Sequence, residues 1–113
     1  MSEDSLYVDY LHDILDAAEK NSKFISGMTY EQFRHDDKTL FAVIRALEII
    51  GEATKRVPEN VRLRHAEIPW REMSGMRDKL IHDYIGVDEE QVWKTAFEDI
   101  PTLLTVIRNL LEE

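Results

Sequence analysis

Apolar residues return every three or four positions through most of this chain, the period of a helix rather than a strand. Leu6, Tyr10, Leu11, Ile14, Leu15 and Ala18 share one face of a predicted helix over residues 5–25, with Ser5 as its N-cap and Gly27 as its break. "MTYEQFRHDD" predicts a short second helix capped by Thr29, with Gln32 three residues on as in a capping box. Asp36 or Asp37 then caps "KTLFAVIRALEIIGEATKRV", whose stripe is Leu40, Val43, Ile44, Leu47 and Ile50 and whose end is set by Pro58. The polar stretch 58–68 reads as a loop. Pro69 opens a fourth helix over 69–84 that places Met73, Met76, Leu80 and Tyr84 on one face, with Gly86 suited to stop it. Asp88 caps a last helix whose buried side is Trp93, Ala96, Phe97, Ile100, Leu103, Leu104, Ile107 and Leu111. Pro101 lies inside that pattern and predicts a kink.

No stretch alternates with period two and no hairpin dipeptide is present. The expectation is one all-α domain over residues 1–113, an antiparallel four- to five-helix bundle.

Composition changes this picture only in part. The absence of cysteine excludes disulfides and thiolate metal sites and suits a reducing compartment. The opening "MSEDSLYVDY" has no apolar h-region, and no apolar run reaches the roughly 20 residues of a membrane span. A cytoplasmic protein with no membrane association is expected. The net charge of −9 speaks against nucleic acid, but its distribution matters. Residues 1–40 hold 4 basic and 9 acidic side chains, residues 41–82 hold 8 and 6, and residues 83–113 hold 2 and 8. Arg56, Arg62, Arg64, Arg71, Arg77 and Lys79 could therefore form a basic surface on an acidic body, the competing account being scattered solvated charge.

The middle third contains "GMRDKLIHDYIGVD", residues 75–88, where chemistry-bearing side chains crowd the end of a predicted helix. Asp78 and His82 stand four apart, so the carboxylate can fix the imidazole tautomer and raise its pKa. Arg77 and Tyr84, seven apart, also share a face. Arg77 and His82 are separated by roughly 140° around an ideal helix, and two such helices across a dimer two-fold would pool both pairs in one cleft. Arginine with histidine suits phosphodiester cleavage. The imidazole moves protons, the guanidinium stabilises phosphate charge, and RNA supplies its own 2′-OH nucleophile. The competing account of R-x4-H alone is a solvated helix end. Repeated Glu-x-x-His pairs, a P-loop, a dinucleotide fingerprint and G-x-S-x-G are all missing, so neither a metal nor a cofactor is expected. Trp70, Trp93, Met73 and Met76 suit core or interface positions, although a tryptophan can also stack bases.

Arg77, His82 and Tyr84 match the R-x4-H-x-Y motif, and the chain resembles the HepT-like proteins of the HEPN superfamily of helical ribonucleases. "IRALEIIGEATKRVPENVR" (44–62), "IPWREMSGMRDKLIHDYIGVD" (68–88) and "VWKTAFEDIPTLL" (92–104) resemble the family in order and spacing. The resemblance implies the toxin of a type VII-like HepT/MntA toxin–antitoxin pair, a homodimeric, metal-independent endoribonuclease with Arg77 and His82 as its catalytic pair. It implies an antitoxin of the MntA type, a minimal nucleotidyltransferase that silences the toxin by adenylylation of Tyr84. Asparagine often follows the motif arginine in this superfamily, whereas this chain has Asp78, which can orient His82 and also sets an anion beside the RNA phosphate. The alternative is a non-catalytic binding subunit of a nucleotidyltransferase complex.

Overall fold

Local signals set most helix boundaries. The computed structural model describes residues 3–76 and 88–112. Helix α1 spans Glu3–Ile25, beginning two residues before Ser5, so the expected Ser5 cap lies inside the helix. Its exit runs through Gly27 at φ 77°, left-handed backbone that a residue without Cβ adopts freely. Helix α2, Tyr30–Arg34, opens on the predicted capping box. The Gln32 amide donates to Thr29 Oγ1 at 3.2 Å, and the Thr29 amide donates to Gln32 Oε1 at 2.9 Å. Helix α3, Asp37–Arg56, is capped by Asp36, whose carboxylate accepts from the Thr39 amide and hydroxyl.

One expectation fails after Pro58. The stretch 58–68 contains helix α4, Glu59–Arg64, rather than loop alone. Pro58 pre-sets the extended entry, its carbonyl accepts from the Val61 and Arg62 amides, and fully buried Val61 anchors the turn. Helix α5, Trp70–Ser74, follows with Pro69 as N-cap and closes at Gly75, so the single helix expected over 69–84 is interrupted there.

Asp88 caps α6, Glu89–Lys94, as expected, accepting from the Gln91 amide at 3.1 Å. The expected kink takes a specific form. A π-turn over Thr95–Asp99 joins α6 to α7, Ile100–Glu112, and the Ile100 amide bonds back five residues to the Thr95 carbonyl. In that register the next carbonyl, Ala96, faces Pro101, which has no N–H to give. Fully buried Asn21 on α1 supplies the missing donor, its Nδ2 lying 3.0 Å from the Ala96 oxygen.

The buried stripe also differs from the expected one. Val92, Ala96, Ile100, Leu103 and Ile107 are buried, while Phe97, expected on the buried side, is 56% exposed. Helix α1 packs chiefly on α3 and then on α7, and Leu11, Ile14, Val43, Leu47, Ile50, Ile100 and Ile107 fill the shared core. An exposed ion pair, Arg108 to Glu19 at 3.3 Å, also ties α7 to α1. Among the described residues no strand occurs and no helix is long and apolar enough to cross a membrane. The fold is all-α.

Candidate functional site

The motif residues Arg77, Asp78, His82 and Tyr84 lie outside the described residues, as does Lys79. What the structure gives is the frame that leads into them. Trp70 starts α5 and is pinned by its indole N–H, which donates to the His65 carbonyl at 3.0 Å. Met73, one turn on, is fully buried, and Met76 is half-buried against the core. Both tryptophan and methionine therefore serve packing here, as their helical spacing suggested.

The last turn of α5 then meets α3 backbone to backbone. A Cβ built on Gly51 would stand 3.3 Å from the Ser74 carbonyl oxygen and 3.6 Å from that of Met73. In sequence the contact lies three residues before Arg77. Sequence reasoning passed over this glycine. The available signal was a glycine inside a strongly patterned helix, which costs about 1 kcal/mol against alanine and therefore asks for a packing reason.

The predicted basic surface divides in two. Arg62 and Arg71 line an open groove of about 510 Å³ beside Pro69 and Trp70, but Glu59 and Glu72 line it too. Arg56 lies in a different, smaller groove between α1 and α3, with Arg45, Asp13 and Glu52. The described charges thus alternate in sign rather than forming one cationic face. Arg45 pairs with Glu48 at 3.8 Å along α3. Among the described residues no group of three or more His, Asp or Glu side chains is placed to hold a metal ion. His35 sits 3.2 Å from Glu31, and His65 lies 3.8 Å from Glu67, each an exposed or half-exposed local pairing.

The sequence profile described as "Ribonuclease HepT-like" matches residues 14–110, from the middle of α1 to the last turns of α7. The chain belongs to the HepT-like ribonuclease family. A Thermococcus cleftensis protein named "Probable ribonuclease HepT" is 58% identical over 95 residues, covering 84% of this chain and 86% of that protein. A Caldanaerobacter subterraneus protein named "Putative RNase TTE0752" is 40% identical over 104 residues, covering 92% of this chain and 93% of the relative. A Methanocaldococcus jannaschii protein named "Putative RNase MJ1216" is likewise 40% identical, over 92% of this chain and 86% of the relative. No solved structure matches the chain significantly. The HepT-like match runs through the motif and through both elements that frame it, α5 and α6.

Proposed function

We propose that this HepT-like chain is an endoribonuclease toxin that cuts RNA without a metal, with Arg77 and His82 as its catalytic pair. The observation that carries the reading is the family match across residues 14–110, which includes "GMRDKLIHDY" entire. In the proposed step a ribose 2′-OH attacks the adjacent phosphorus and the bond to the 5′ oxygen breaks. His82 moves the proton from nucleophile toward leaving group, and Arg77 stabilises the charge gathering on the phosphate oxygens. The products are a 2′,3′-cyclic phosphate and a free 5′-OH. Asp78, four residues before His82, orients the imidazole. Two protomers joined as a homodimer would pool two such pairs in one cleft. An MntA-type nucleotidyltransferase antitoxin would restrain the enzyme by adenylylating Tyr84, because phosphate added there brings negative charge and bulk to a site built for RNA phosphate.

The test is cleavage of labelled RNA in EDTA by the unmodified protein, beside His82→Ala. Wild type is expected to leave 2′,3′-cyclic ends, and His82→Ala to lose activity by at least about a hundredfold, the usual loss when a general acid–base is removed. Equal cleavage by both proteins would remove His82 from the chemistry. No cleavage of varied RNAs, with the intact mass of Tyr84 unmodified, would replace the enzyme with a non-catalytic binding subunit of a nucleotidyltransferase complex.

A further inference from the structure

A second surface carries aromatic side chains to which the proposed cleavage step gives no role. Trp93 on α6 lies at the centre of four aromatic rings. Phe97 stacks on it at 5.2 Å and 15°, Phe33 packs against it at 5.1 Å, and Tyr30 tilts toward it at 6.2 Å. Phe33 is fully buried and belongs to the core. The other three open progressively to solvent, Tyr30 and Trp93 half-buried and Phe97 56% exposed. Phe97 lies within the π-turn and outside the buried stripe, so a large apolar ring is displayed to solvent.

The rim of this face is acidic. Glu89 and Glu90 precede Trp93 by four and three residues and share its side of α6, and Glu31 neighbours Tyr30 on α2. Partial burial first, then the Glu90 carboxylate, hold the Tyr30 phenol above its usual pKa, with Glu89 and Glu31 adding to the effect and Arg34 opposing it. Arg34 pairs with Glu31 at 3.5 Å, which leaves the Glu89 and Glu90 carboxylates to set the sign of this rim, and they disfavour a phosphate backbone there. Aromatic faces ringed by carboxylates attract the opposite chemistry, a guanidinium or ammonium lying over a π-face beside apolar side chains.

We propose that the Tyr30–Trp93–Phe97 face docks a partner protein through a segment that is both cationic and apolar, its basic side chain over the exposed rings and held by Glu89 and Glu90. The inference does not rest on ribonuclease activity. The full chain is titrated by calorimetry with a synthetic peptide of alternating arginine and leucine, with arginine–serine and glutamate–leucine counterparts, and with single-stranded RNA. The arginine–leucine peptide is expected to bind best and more weakly in high salt. Phe97→Ala is expected to weaken it about tenfold and Glu90→Gln about threefold, the range of a partly desolvated cation–π contact and of one rim charge. Phe97 is exposed, so the variant is expected to keep the wild-type circular dichroism. Binding unchanged in both variants overturns the proposal. So does RNA binding that Phe97→Ala abolishes, which would make the face a base-stacking platform. Self-association lost in Phe97→Ala would equally overturn it, in favour of a second copy as the occupant.

Discussion

Helix α3 and the C-terminal helix each carry, well inside the chain of turns, a residue that helices disfavour. In α3 it is Gly51, costing about 1 kcal/mol against alanine, and in the C-terminal helix it is Pro101, costing about 3 kcal/mol or more. The outcomes differ in kind. Twenty residues of α3 stay regular, and the space left by the absent Cβ is taken by the backbone of α5. The C-terminal helix instead changes register over Thr95–Asp99 and borrows a hydrogen-bond donor from α1. The glycine is answered from outside its helix and yields a tight contact at the entrance to the motif. The proline is answered partly from within, by a π-turn that also contains the exposed Phe97.

The sharpest way to break this comparison is to remove Asn21. Its amide is the donor for a buried carbonyl that Pro101 leaves without one, so Asn21→Ala strands the Ala96 oxygen. Leaving such a group unpaired costs about 1–3 kcal/mol, which a urea unfolding curve resolves. Some of that is offset because Asn21 Oδ1 has no partner among the described residues and is removed as well. The diagnostic result is coupling. With Pro101→Ala, residue 101 regains an N–H, and Ala96 finds a backbone donor whether the turn stays π or returns to α. The Asn21→Ala penalty is then expected to shrink by about 1 kcal/mol in a double-mutant cycle. Strict additivity would mean that the proline is not why Asn21 is there.

Gly51→Ala tests the other half with a smaller effect. Alanine gains about 1 kcal/mol of helix propensity, but its Cβ must push a backbone carbonyl that stands 3.3 Å away. Overpacking of this kind costs about 1–3 kcal/mol, so a net loss of about 1 kcal/mol is expected from the urea midpoint. Because Ser74 leads directly toward Arg77, RNA cleavage should fall further than the loss of folded protein explains. A stabilised variant with unchanged cleavage would show that α5 slides freely and that Gly51 does not position the motif.

How much of this was readable in the sequence follows from the range of each signal. Thr29 with Gln32, Asp36 and Asp88 bond within three residues, and Gly27 and Pro58 act on their own backbone, so caps and breaks were legible. The stripe of α3 was legible because five buried residues repeat at helical spacing. Helix α4 was not, since six residues with the single buried anchor Val61 are too short to show a period. Pro101 announced a disturbance, but not that the helix would widen just before it. That choice depends on whether a buried donor waits on α1. The motif letters were legible as chemistry, and the Gly51 contact beneath them was not, because a glycine's use is set by whichever helix comes to rest on it.

The smallest effect concerns how α3 begins. The Thr39 amide, then the Thr39 hydroxyl, bond the Asp36 carboxylate and hold its pKa below the ordinary value of 3.8. A carboxyl depressed in the folded state adds stability that is present above its unfolded pKa and is lost as pH falls through the folded one. The loss therefore belongs to acid conditions, below about pH 4, and leaves neutral pH untouched. Asparagine caps helices about as well as aspartate but does not titrate. Asp36→Asn is thus expected to match wild type near pH 7 and to show a shallower fall in thermal midpoint below pH 4. Thr39→Val, which keeps the amide bond and deletes the hydroxyl, should fall between the two. An acid limb of the same slope in all three proteins would place the pH dependence elsewhere and leave α3 started by geometry alone, independent of the charge on its cap.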